Sequence, residues 1–252
     1  METQTIERAP TRIRVGTVSV VAYLGGAAFV AAATWYTLAA RGVTVASAPQ
    51  IGLEVPVQQG QHIYYRWLGT TLPQERLYTS VAIVGFLCLA GVAALARDLL
   101  GRDRALARTG SFLVAAGALI WVVGSVFQLG GHHAVGLMAT HANPIQTTNS
   151  IAFTVDMIAQ AFALAAFALI GVGMLAFARA AAQTRPQHRA WAGYAVLMAA
   201  LMLVIAGFYA AGNGDLTDLM LLAGGVVLLP VWLVWTGRIG ETEQAPPVRR
   251  DA

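Results

Sequence analysis

Histidines and carboxylates gather in a few places along this 252-residue chain. His132, His133 and His141 lie close together, His62 precedes them, and Asp156 follows them. Imidazole and carboxylate groups are common ligands of zinc, copper and iron. The sequence therefore raises the hypothesis of a metal or haem site built from His133, His141 and Asp156, with His132 and His62 as alternative ligands.

The same residues also have a purely structural interpretation, which the sequence favours over the metal site. Gly130 and Gly131 are typical of a helix end, where His132 and His133 would meet unsatisfied carbonyls and the negative end of the helix dipole. Neighbouring residues point in different directions in a helix or a strand, so His132 and His133 rarely bind one ion together. The sequence also contains no HExxH motif, and whether any cofactor is bound stays open.

Several kinds of chemistry are excluded or disfavoured by composition. All sixteen basic residues are arginine, so Schiff-base and P-loop lysine chemistry is excluded. The single cysteine, Cys88, rules out an internal disulfide and a CxxC redox motif. The chain also lacks a GxSxG motif, an aspartate-rich prenyl-diphosphate motif and the paired acidic and arginine motif of a membrane protease. We therefore expect a protein that is not an enzyme.

The elements that would position these residues are apolar helices. Hydrophobic residues make up 57% of the chain and charged residues only 11%, which is too little charge to cover a water-soluble protein of this size. About 20 apolar residues are needed to cross a bilayer. We predict an all-α integral membrane bundle of six transmembrane helices, which cover residues 15–40, 77–96, 109–130, 149–178, 191–211 and 218–236.

The arginines predict the orientation of this bundle. Thirteen of the sixteen lie on one side of the predicted spans, and only Arg41, Arg66 and Arg76 lie on the other. Because arginine is enriched on the cytoplasmic side of membrane proteins, we expect both ends to be cytoplasmic: a tail over 1–14, the transmembrane domain over 15–236 and a tail over 237–252. The basic character thus reflects topology, and nucleic acid is not an expected partner.

The sequence also predicts where the loops and helix caps lie, which rings sit at the lipid headgroups and which helix surface packs closely. Long outer loops are predicted over 41–76 and 131–148, with Asn149 or Ser150 capping the fourth helix. Tyrosine and tryptophan near predicted span ends are typical of rings at the lipid headgroups; these are Trp35, Tyr36, Tyr78, Trp191, Tyr194, Tyr209, Trp232 and Trp235. Glycine recurs every seven residues at Gly110, Gly117 and Gly124, which favours close helix packing.

The six-span layout and the closing segment LLPVWLVWTGR, residues 228–238, resemble uncharacterised six-span membrane proteins of high-GC bacteria. The resemblance implies an architecture and assigns no catalytic residues. We expect a structural, accessory or binding component of the bacterial cell (inner) membrane, in contact with the lipid bilayer and with other membrane subunits or further copies of itself. A membrane redox or metal-binding protein using the outer histidines is one alternative. A small-molecule channel or transporter lined by Gln128 and Gln160 is another.

Overall fold

The computed structural model describes residues 15–36, 57–101, 104–141, 144–184, 189–211 and 224–244, and these residues form helices joined by turns, with no strand among them. The helices, in chain order, are α1 (Val15–Thr34), α2 (Val57–Leu100), α3 (Ala105–Thr140), α4 (Ile145–Ala182), α5 (Arg189–Ala210) and α6 (Leu229–Gln244). A π-helical segment, Gly224–Leu228, leads directly into α6. The predicted all-α class is therefore confirmed.

Four of these helices contain stretches that are long and apolar enough to cross a membrane. The stretches are Glu75–Leu100, Ala105–Thr140, Ile145–Ala182 and Arg189–Ala210, and Ser19–Thr34 is a shorter apolar helix. Large apolar side chains such as Val20, Phe112 and Phe153 are exposed on the outside of the bundle. In water this surface would be unfavourable, whereas lipid solvates it well. The structure thus indicates a membrane-embedded helical protein.

Helices α2 to α5 pack as successive antiparallel neighbours, because only four to six residues separate each helix from the next in the sequence. Gly101 ends α2 with a φ of 99°, in the left-handed region that glycine adopts at little cost. The Arg104 guanidinium donates to the Gln183 carbonyl at 3.2 Å, and this bond ties the α2–α3 turn to the end of α4. α3 packs between α2 and α4, α5 packs on α4, and α1 packs between α2 and α6.

Glycines on α3 bring its backbone close to α4. A Cβ atom on Gly117 would lie 2.6 Å from the Ala166 carbonyl oxygen and 2.8 Å from Ile170 Cγ1, and one on Gly124 would lie 2.6 Å from Phe162 Cβ. The seven-residue spacing of these glycines continues to Gly131, where a Cβ would clash with Val155. The glycine repeat is thus a helix-packing face, and it includes Gly131 in addition to the three glycines noted in the sequence.

This packing corrects several predicted helix ends. Gly130 and Gly131 do not end α3, which continues to Thr140, because Gly131 serves the close approach to α4. α4 begins at Ile145 after Pro144 rather than at a cap on Asn149 or Ser150. Proline suits this start because its fixed φ is compatible with a helix beginning and it has no N–H to leave unpaired.

The start of α2 and the end of α6 also differ from the prediction. α2 already begins at Val57, inside the predicted outer loop 41–76. α6 continues to Gln244, past the predicted end at 236, because Gly237 lies against Ala22 and its carbonyl accepts a bond from the Ser19 hydroxyl at 3.4 Å. Predicted residues 37–40 and 218–223 lie outside the described part of the chain.

α2, α3 and α4 are much longer than their neighbours. With 44, 36 and 38 residues they reach about 66, 54 and 57 Å, whereas the 22 residues of α5 reach about 33 Å. Tyr36, just after α1, packs against Tyr78, and Tyr209 near the end of α5 stacks on Phe167. We call the adjoining ends of these three long helices, residues 57–74, 133–140 and 145–155, the three-helix extension. Its small core is formed by Tyr65, Val135 and Ala152.

Part of the predicted aromatic belt lies inside the protein. Trp191 and Trp232 are buried, with ring centroids 5.7 Å apart, and Phe177 packs against both. The Trp191 indole donates to the Thr236 hydroxyl at 3.0 Å, so its polar atom is paired within the bundle. The headgroup interpretation is therefore wrong for Trp191 and Trp232, while Trp35 is exposed as that interpretation requires.

Candidate functional site

Each of the three long helices contributes one ionisable side chain to a partly buried cluster. His132 of α3 lies between Glu75 of α2 and Asp156 of α4. Its Nδ1 is 2.8 Å from Glu75 Oε1, and its Nε2 is 3.0 Å from Asp156 Oδ1. The Tyr65 hydroxyl donates to Asp156 Oδ2 at 3.4 Å. We call Glu75, His132 and Asp156 the acid–histidine cluster.

The geometry of the cluster suits a protonated histidine between two ionised carboxylates. An ionised carboxylate only accepts hydrogen bonds, so both ring nitrogens of His132 must donate when both acids are ionised. The ring is then a cation that bridges two anions, with charge-assisted bonds on both sides. Because His132 is buried, these bonds replace the water that would otherwise solvate the imidazolium. The cluster therefore links three helices and keeps one net negative charge.

One oxygen of the cluster has nothing to bind. Glu75 Oε2 is buried and finds no hydrogen-bond partner in the described part of the chain. The Glu75 side chain is 13% exposed, whereas that of Asp156 is 35% exposed. A buried acceptor without a donor is unfavourable, and such atoms often mark the place of a water, an ion or a ligand. Glu75 thus has a vacant acceptor inside the bundle.

The predicted metal ligands do not form one metal-binding group among the described residues. His133 and His141 are both exposed, and His141 Nδ1 lies 2.7 Å from the Leu137 carbonyl in the last turn of α3. Of the five residues named from the sequence, Asp156 and His132 are brought into contact. His62 lies in α2, and its side chain is outside the described residues. Among described residues, no group of three histidine, cysteine or acidic side chains is arranged to hold a metal ion.

A partly open cavity of about 270 Å³ lies among the helices of the bundle. It is lined by side chains from α1 to α5 together with the π-helical segment and the start of α6. Most of them are aromatic or aliphatic, and these are Phe29, Ala32, Ala33, Tyr36, Tyr78, Ala82, Phe86, Trp121, Gln128, Phe167, Met202, Ile205, Tyr209, Gly224, Gly225 and Leu229. Gln128, named from the sequence as a channel residue, lies on this cavity, whereas Gln160 is exposed on the bundle surface.

Rings make up much of the cavity wall and pack against one another. Phe86 and Trp121 are stacked with centroids 4.0 Å apart, and Phe29 meets Phe86 edge to face at 5.0 Å. Phe167 stacks on Tyr209 at 6.0 Å. Such paired rings hold their positions well and present flat, polarisable faces. The wall is therefore suited to a flat apolar molecule.

The acid–histidine cluster lies next to the cavity. Tyr78 follows Glu75 by three residues on α2, and Gln128 precedes His132 by four residues on α3. Residues with these spacings lie on the same helix face, about one turn apart. Tyr78 and Gln128 both line the cavity, and so does Tyr36, whose ring packs against Tyr78. These three polar side chains thus lie on the side of the cavity nearest the cluster.

Sequence reasoning missed the cluster although part of the signal was present. The glycine repeat continues to Gly131, which indicates that α3 runs on past that point and that His132 lies on a helix. Glu75 and Tyr78 are three residues apart, and Gln128 and His132 are four residues apart, so each pair lies on one face of its helix. The contact of Glu75 with His132, which are 57 positions apart, follows only from helix packing.

Comparison of the chain with protein-family models, with curated proteins and with solved structures finds no match.

Proposed function

We propose that this protein is a binding component of a cell membrane that holds a small, flat, largely apolar molecule in its aromatic cavity. The observation that carries the proposal is the cavity itself, which is lined by rings from several helices and has Tyr78 and Gln128 on the side nearest the acid–histidine cluster. Sites for small molecules in helical bundles typically combine an apolar wall with a few polar groups that orient the ligand. Binding, rather than catalysis, is the role that these residues support.

The cavity volume indicates the size of the ligand. An engineered apolar cavity of about 150 Å³ accommodates one benzene molecule. The cavity described here, at about 270 Å³, is close to twice that volume. A fused two-ring molecule therefore matches it, and the stacked pairs around Phe86 and Phe167 favour a flat one.

The setting of this site is also part of the proposal. We propose six membrane spans with both ends cytoplasmic, in the cell (inner) membrane of a bacterium, in contact with lipid and with other membrane subunits or further copies of the chain. The arginine distribution supports the orientation, and the four long apolar helices support membrane insertion. A membrane redox or metal-binding protein and a small-molecule channel or transporter are the alternatives, and stoichiometric metal or a Soret band in the purified protein would support the first of them.

Labelling of single cysteines tests the orientation. In a Cys88→Ala background, we expect Ser47→Cys to react with a membrane-impermeant maleimide added to intact cells. Thr3→Cys should react only after the membrane is broken, because the predicted topology places it in the cytoplasm. The measurement is the fraction of protein labelled in each case. Labelling of Thr3→Cys in intact cells would show that the orientation is wrong.

Filling the cavity tests the binding function. Ala82 lines the cavity, and Ala82→Phe adds a ring where the ligand is proposed to lie. We expect the affinity for 1-methylnaphthalene to fall at least tenfold, as measured with tritiated ligand on purified, immobilised protein in lipid nanodiscs. A tenfold loss corresponds to about 1.4 kcal/mol, a modest fraction of what full burial of such a ligand contributes.

A matched substitution controls for partition of the probe into lipid. Ala161 lies on α4 and is exposed on the outside of the bundle, so Ala161→Phe adds the same ring away from the cavity. Its affinity for 1-methylnaphthalene should equal that of the unmodified protein. Equal binding by both variants and the unmodified chain would mean that the probe enters lipid only, and the proposed function would be abandoned.

A further inference from the structure

We propose that the cavity takes an organic cation, namely a flat aromatic body bearing one ammonium group, and that Glu75 accepts a hydrogen bond from that ammonium. The inference rests on the proposed binding function and names the class of ligand that the site selects. It is carried by the charge of the acid–histidine cluster, the vacant oxygen of Glu75 and the aromatic wall.

The first argument is the charge balance of the cluster. Glu75 and Asp156 carry two negative charges and His132 carries one positive charge, which leaves one negative charge beside the cavity. Arg66 and Arg76, the nearby arginines of α2, are exposed, and the ion pairs that the described residues make with this cluster come from His132. A buried net charge is costly unless an opposite charge pairs with it. A cation in the cavity would restore neutrality.

The second argument is the vacant acceptor. Glu75 Oε1 is held by His132, so Oε2 is fixed in orientation and is the atom left to accept a further bond. Glu75 lies one helical turn, about 4.5 Å along the axis, from Tyr78 on the cavity wall. An ammonium group on the ligand can only donate hydrogen bonds, and a carboxylate oxygen can only accept them. A ligand carbonyl or ether is itself an acceptor and could not bind this oxygen.

The third argument is the aromatic wall. Tyr78, one helical turn from Glu75, is a cavity ring whose negative face can attract the ammonium, whereas Phe86 and Trp121 can pack against the flat body that bears it. A purely aliphatic wall would bury the body of the ligand equally well and would disfavour its charge. The aromatic wall and the acidic cluster therefore select for the same property of the ligand, which is positive charge.

Three probes of nearly equal shape separate charge from size. They are 1-naphthylmethylammonium, 1-naphthylmethanol and 1-methylnaphthalene, which carry an ammonium, a hydroxyl and no polar group on the same ring system. We expect the unmodified full chain in nanodiscs to bind the ammonium about 10- to 100-fold more tightly than the alcohol, as charge-assisted bonds to a carboxylate allow. The measurement is the dissociation constant of each tritiated probe.

Two variants locate the origin of this preference. Glu75→Gln keeps an acceptor for His132 and removes the negative charge, so the advantage of the ammonium over the alcohol should fall at least tenfold. Arg76→Gln changes the neighbouring, exposed residue, and there the preference should be unchanged or slightly larger. The three-probe comparison on the unmodified chain tests the proposal even if Glu75→Gln does not fold.

The outcomes separate this inference from the proposed function. If none of the probes binds more tightly to the unmodified chain than to Ala82→Phe, the binding function itself fails. If 1-methylnaphthalene binds in the cavity and the ammonium binds no more tightly, the function stands and the cation inference is overturned. Equal gains for the ammonium and the alcohol would likewise overturn it, because a water or a neutral donor would then satisfy Glu75.

Discussion

Replacing His132 with leucine should destabilise the protein by about 3–5 kcal/mol, the loss typical of breaking a buried ion pair from one side. The imidazolium bridges Glu75 and Asp156 at 2.8 and 3.0 Å, so its removal leaves two carboxylates without their cation. The same change unties α2, α3 and α4 where the three-helix extension joins the rest of the bundle. The measurement is the free energy of unfolding of the purified protein in bicelles.

The neighbouring histidine provides the control for this result. His133→Leu makes the same chemical change one residue along α3, where the side chain is exposed, and it should alter stability by no more than about 0.5 kcal/mol. Adding Glu75→Gln and Asp156→Asn to His132→Leu should recover part of the loss, because neutral amides no longer repel each other. Equal, small losses for the two histidine variants would contradict the bridging role of His132.

Replacing Gly117 with alanine should destabilise the bundle by about 1–3 kcal/mol, as expected for overpacking. The added Cβ would lie 2.6 Å from the Ala166 carbonyl oxygen and 3.1 Å from the Ile170 backbone nitrogen. A side-chain end can turn away, but these atoms belong to the α4 backbone, so α3 and α4 must separate. Thermal unfolding in detergent, followed by intrinsic tryptophan fluorescence, should show a lower midpoint.

Gly130 on the same helix is the matched control. A Cβ there has nothing within 4 Å, and alanine is a better helix former than glycine by about 1 kcal/mol. Gly130→Ala should therefore leave the midpoint unchanged or raise it. If Gly117→Ala had the same effect as Gly130→Ala, the close contact between α3 and α4 would not be a determinant of stability.

Much of the helical architecture is predictable because an apolar helix is a local pattern. The apolar segments at 109–130 and 149–178 lie inside α3 and α4, and their helical nature follows from composition alone. The extra turns up to Thr140 and from Ile145 were missed, because Gly130 and Gly131 resemble a helix end when contacts are unknown. The role of Gly131 depends on Val155, which lies near it only in the folded structure.

The candidate site was less predictable, because three helices that are distant in sequence build it. Asp156 and His132 were both named from the sequence, but as metal ligands among other histidines, and the pairing with Glu75 was not foreseen. The interior position of Tyr36, Tyr78 and Tyr209 also depends on helix rotation. A tyrosine near a span end has the same local pattern whether it faces lipid or a cavity.

The most direct test of the proposed site is a crystal structure of the protein with 4-bromo-1-naphthylmethylamine, in which anomalous scattering locates the bromine. The ammonium should lie on the Tyr78 side of the cavity, toward Glu75, and the bromine should lie inside the ring-lined cavity. One anomalous peak at that place is the predicted result. A cavity without a bromine peak, with bromine only on the lipid-facing surface, would contradict the account.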